Sequence, residues 1–209
     1  MSSGAAPAPA SYAGIDIAKA PLPTLMSEAR AAAEFAERRF SPLAATQLNW
    51  RPQPDAWSVA QCLDHLIVAN TTYRDSIVAP LREGRYQPNF WARLPGLPRV
   101  FGPLLIRALR PDSKRRLKAP ASFAPSASEI DPKIVRRFID HQFELVDWME
   151  SCRDKTPERT IVSSPALAPI TYSLLDAFRI IVVHQHRHLA QARRVTEAAG
   201  FPPAAASAG

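Results

Sequence analysis

Cysteine is scarce in this chain, with Cys62 and Cys152 the only two among 209 residues. Two thiols make no disulfide framework, so a reducing cytoplasm is the expected compartment. No stretch approaches the roughly 20 consecutive apolar residues that cross a bilayer, and no membrane span is expected. The opening residues, MSSGAAPAPASYAG, carry neither a basic leader nor an apolar run, so no secretory signal is predicted there. Period-2 alternation is missing, which predicts no strand, and no internal repeat is visible. A nucleic-acid reader motif is missing as well, so nucleic acid is not an expected partner despite the net charge of +7.

What is present is 46% hydrophobic content, enough for one well-cored domain with tails. The positive charge is local. Nine basic residues and one acid, Asp112, lie between Arg85 and Lys118, and the rest of the chain is close to neutral. The predicted organisation is a disordered arm over residues 1–20, a helical domain over 21–200 and a disordered tail over 201–209. A basic, proline-rich insertion occupies 85–125 within that domain.

Four helices follow from apolar spacing. The first runs from about Thr24 to Arg39 with Leu25, Ala29, Ala32, Phe35 and Ala36 inward, and Ser41-Pro42 closes it. The second runs from about Ser58 to Arg82 on Val59, Leu63, Leu66, Ile67, Tyr73 and Ile77, with a kink or early end expected at Pro80. The third follows Asp131-Pro132 to about Cys152. The fourth starts near Thr171 or Ser173 and runs to about Ala199, before Gly200 and two prolines. FGPLLIRALR forms a short amphipathic helix inside the insertion. The predicted architecture is all-α, a four-helix bundle with a long crossover connection.

Three histidines carry the chemistry. His184 and His188 in HQHRHLAQ are four residues apart, within about 40° of one helix face. His65 in WSVAQCLDHL can supply a third imidazole from a neighbouring helix. Three neutral imidazoles around a divalent ion leave a fourth position for water or substrate. Within about 60° of His65 on its wheel fall Ser58, Gln61, Cys62, Ala69, Thr72 and Ser76. Of these, Gln61, Cys62 and Thr72, with Gln191 beside His188, are candidate pocket-lining residues. His186 points about 160° from His184 and is expected to face solvent or another contact. His141 reads as a boundary histidine, Cys62 as a small buried thiol, and Trp57 as packing on a helix end. Asp64 faces away from His65, and no inward Glu or Asp stands out as a general base.

Two stretches carry a family resemblance. RPQPDAWSVAQCLDHLIVAN resembles the second-helix signature of the DinB/YfiT-like superfamily, a Trp-Ser start with a histidine about eight residues on. HQHRHLAQARRV resembles its last-helix motif, His-x3-His followed by Gln, and LKAPASFAPS is similar to the linker of the DinB_2 branch. The resemblance spans about Thr24 to Ala199. It implies a four-helix bundle with a long crossover, often a homodimer, holding a divalent metal on His65, His184 and His188. Zinc and nickel suit that ligand set. It further implies a transferase or hydrolase acting on a small molecule, with a low-molecular-weight thiol as cosubstrate, in thiol transfer or detoxification. The alternative is a non-catalytic metal-binding or stress-response module, its fourth metal position filled by Cys62 or His141.

Overall fold

The computed structural model describes residues 15–93, 97–111, 129–167 and 169–203. Most of the expected terminal arms, residues 1–14 and 204–209, lie outside the described residues, as do 94–96 and 112–125 of the expected insertion and the linker resemblance at 117–126. Residues 15–20, assigned from sequence to the arm, instead carry a 3₁₀ turn at Ile17–Lys19, with Ile17 and Ala20 buried. Asp16 caps that turn, and two small apolar side chains suffice to pin it to the core.

Helix α1 spans Leu22–Phe40, with Pro23 in its first turn, where a missing N–H costs no hydrogen bond. A short helix, α2, follows at Ala45–Asn49. Helix α3 spans Val59–Tyr73 and starts on a reciprocal cap. The Gln61 N–H donates to Ser58 Oγ at 3.1 Å, and the Ser58 N–H donates to Gln61 Oε1 at 3.1 Å. The same rod continues through a wide π turn at Arg74–Val78 into α4, Ala79–Arg82. Pro80 is thus absorbed into the helix, since the looser turn just before it accommodates a residue with no N–H to donate. Helix α5 spans Leu97–Leu109 inside the insertion, longer than the segment expected there. Helix α6 covers Ile134–Ser151, and α7 covers Leu174–Thr196.

No strand was expected, yet β1 (Ile161–Ser163) and β2 (Thr171–Ser173) pair antiparallel, Val162 opposite Tyr172. Three residues per strand leave too few positions for a period-2 pattern to show. Val162 and Tyr172 are fully buried, and Ser173 ends β2 while capping α7, its Oγ accepting the Asp176 N–H at 3.0 Å.

Helices α1, α3, α6 and α7 form the bundle, and α5 lies outside it against α7 and β2. The contacting pairs are α1 with α6 and α7, and α3 with α6 and α7, so α1 lies diagonal to α3. Two hydrophobic clusters fill the two ends. One holds Leu25, Ile77, Leu145 and Phe178; the other holds Phe40, Leu63, Phe138 and Leu189. Helices α1 and α7 run from the first cluster to the second, whereas α3 and α6 run the opposite way. Neighbours α3 and α6 are therefore parallel, and a parallel step must return along the bundle's length. That is why the connection between them is long.

Between the clusters each helix buries polar side chains at the same level. They are Glu28 on α1, His65 and Asn70 on α3, His141 and Gln142 on α6, and Gln185, His186 and His188 on α7. Such a belt costs stability unless its groups find partners. Gln142 and Gln185 find each other across the bundle, the Gln185 Nε2 donating to Gln142 Oε1.

Candidate metal centre

The belt positions the three histidines. His65 lies in the middle of α3, and His184 and His188 lie one turn apart on the adjacent α7. The His65 and His184 Nε2 atoms stand 3.1 Å apart. One ligand nitrogen from each of His65, His184 and His188 falls within 4.8 Å of the others. Ring centroids are 4.9 Å apart for His65 and His184, 4.5 Å for His65 and His188, and 4.6 Å for His184 and His188. Zinc–imidazole bonds of about 2.0–2.1 Å in a tetrahedron put ligand nitrogens about 3.3 Å apart, so the His65–His184 separation suits a shared ion. His188 Nδ1 is buried and has no hydrogen-bond partner. Three clustered imidazoles, one with an orphaned nitrogen, are a donor set that fits a divalent cation.

Electrostatics favour the neutral rings that ligation needs. Burial, then the His65 and Arg187 charges, hold His184 down to about 3. Burial holds His188 well below its ordinary value, reinforced by His184 and His65, with Gln191 opposing. His184 is half-buried and the other two are buried, so the site is shielded without being sealed on every side.

Trp57 does more than pack a helix end. Its ring stacks on His188 at 5.5 Å with planes 22° apart and sits 4.8 Å from His65. The indole thus walls one side of the cluster. Its place directly before the Ser58 cap was the visible signal, since a residue eight positions before His65 lies about two helical turns from it.

The other sequence candidates have these places. Gln61 is spent largely on the α3 cap. Cys62 is fully buried in apolar surroundings that push its thiol up to about 12. The half-buried Thr72 returns its hydroxyl to the Val68 carbonyl at 3.0 Å. Gln191 is half-buried beside His188. Ser76 is exposed, lying within the π turn, whose wider spacing departs from the uniform α-helical phase. Among the described residues neither Cys62 nor His141 joins the histidine group. His141 instead packs on Trp148, with ring centroids 5.2 Å apart.

His186 takes the second of its two expected places: it meets another contact rather than solvent, buried with Nε2 2.9 Å from Glu28 Oε2 on α1. Glu28 is accordingly an inward acid not singled out from the sequence. Its signal was present, because Leu25, Glu28, Ala29 and Ala32 share one helical stripe.

A sequence model of the DinB superfamily matches residues 28–192, which takes in the Glu28 end of α1 and all three site histidines. The chain belongs to the DinB superfamily. No curated protein sequence and no solved structure matches it. The mainly helical architecture and the three-histidine group accord with DinB membership. Helix α5 lies within the DinB match, between α4 and α6.

Proposed function

We propose that this DinB superfamily chain is a divalent-metal enzyme of small-molecule thiol transfer or detoxification. His65, His184 and His188 would hold zinc or nickel, and the protein would work in the cytoplasm as a homodimer. The convergence of three imidazoles from two helices, two of them held neutral by burial, carries the reading. Such an ion supplies Lewis acidity, which lets a thiol or water at an open position ionise at neutral pH.

The chain's own residues do the rest. Burial keeps the His184 and His188 imidazoles free of protons, and Trp57 fixes the His188 plane and excludes water from one side. The Glu28–His186 contact holds α7 in rotation against α1, so that His184 and His188 face α3. Cys62 stays a protonated thiol and contributes packing rather than nucleophilicity. Among the described residues no fourth His, Cys, Asp or Glu joins the group, which supports catalysis over a closed structural site.

Metal analysis of protein purified without an affinity tag tests the reading. One zinc or nickel per chain is expected, falling at least roughly 100-fold in affinity in His184→Ala, because loss of a ligand exceeds loss of its supporting contacts. Substoichiometric metal that added zinc or nickel cannot restore would overturn it. With cobalt in the site, a small thiol such as 2-mercaptoethanol should shift the visible spectrum. An unchanged spectrum would leave a metal-binding module without thiol chemistry.

A further inference from the structure

Helix α5 turns an apolar face to water. Val100 is 61% and Leu104 56% exposed, Pro103 is exposed beside them, and Arg107 follows at the same spacing. Steps of three and four residues put all four on one face. The opposite face is already used. Gly102 and Ile106 are buried, and a Cβ on Gly102 would lie 2.5 Å from Asp176 Oδ2 on α7. The outward residues are therefore additional to a satisfied core face, whereas a surface helix ordinarily turns charge to solvent. The neighbouring 3₁₀ turn, Phe90–Arg93, touches α5 and exposes Phe90 by 67% and Trp91 by 43%. From Arg93 to Arg110 the sequence has four arginines and no acid, and Arg107 and Arg110 are exposed.

We propose that α5 and the Phe90–Arg93 turn form a peripheral docking surface for an anionic lipid bilayer. Val100, Leu104, Phe90 and Trp91 enter the boundary between headgroups and acyl chains, and the exposed Arg107 and Arg110 meet lipid phosphates. Exposed aliphatic and aromatic side chains beside positive charge are the composition of an interfacial helix. A second copy seated on this face would set the exposed Arg107 and Arg110 against positive charge of the same kind. Nucleic acid would draw on the charge but leaves the aliphatic side chains without a partner, since bases stack on rings. Contact is in the plane of the surface, as no helix among the described residues is long and apolar enough to cross a membrane.

Flotation of the full-length protein with vesicles tests this. Vesicles of phosphatidylcholine alone are compared with equal parts phosphatidylcholine and phosphatidylglycerol, at low and high salt. Binding to the mixed vesicles only is expected. Arg107→Gln should weaken it by roughly fivefold, and Leu104→Ser by about tenfold. Val100→Ser with Leu104→Ser should abolish it, with the melting temperature unchanged because these side chains are exposed. Failure to bind mixed vesicles overturns the proposal, as does equal binding to both kinds. Salt-sensitive binding that the double substitution leaves intact would assign the patch to a polyanion instead. A dimer that becomes monomeric in the double variant without loss of vesicle binding would assign the face to a second copy.

Discussion

His186 Nε2 on α7 lies 2.9 Å from Glu28 Oε2 on α1, and both side chains are buried within the polar belt. Removing the acid takes from the buried imidazole its close ion-pair contact on α1. Glu28→Ala should therefore lower stability by about 1–3 kcal/mol, and Glu28→Gln, which keeps an acceptor oxygen, by less. Urea denaturation of the three proteins checks the order.

Trp57 governs the plane of a metal-ligand candidate without offering a donor atom. Outer groups that orient ligands are worth about 10–100-fold in affinity. Trp57→Ala is expected to weaken zinc binding by about tenfold in competition with a chelator, and Trp57→Phe to recover most of it. Equal affinity in all three would reduce the indole to packing.

Acid should unfold the metal-free protein early. Burial holds His141 to about 4, with Arg74 adding to the effect, and His184 to about 3. The exposed Glu144, 3.6 Å from His141 Nδ1, is too well screened by water to offset this. In an unfolded chain these rings bind protons near pH 6.5. Below that value the unfolded state takes up more protons than the folded one. Stability is therefore complete above about pH 6.5 and falls steadily as the pH drops toward about 4. The urea midpoint at about pH 5 should lie below that at about pH 7, and bound metal, which holds the ligating imidazoles unprotonated, should raise both midpoints while leaving the gap at least as wide.

Gly102 marks where the insertion seats on the bundle. A methyl group there would press on Asp176, which is tethered to Arg179 at 2.9 Å and cannot swing freely. Gly102→Ala should cost about 1–3 kcal/mol as an overpacked contact. Protease sensitivity of α5 should rise before that of the four bundle helices.

The bundle was legible because each long helix repeats its apolar residues at three and four, and Ser58 and Ser173 announce two starts. The histidine cluster was legible for the same reason, since a step of four aligns His184 with His188. The Glu28–His186 pair was hidden, because its partners come from the two ends of the chain and meet only through the packing of α1 on α7. The two strands were hidden by shortness. The placement of Ser76 failed because a wheel assumes uniform turns, and the widening at Arg74–Val78 has no marker except Pro80 downstream.

That widened turn makes one rod behave as two cams on a single shaft. His65 takes its angle from the Ser58 end, while Ile77 and Pro80 take theirs from the far side of the slip. A residue gained or lost near the slip would re-aim everything leading into the insertion while the imidazole kept its heading. The lineage is thereby free to rebuild the outer helix and its approach without disturbing the three-histidine cluster.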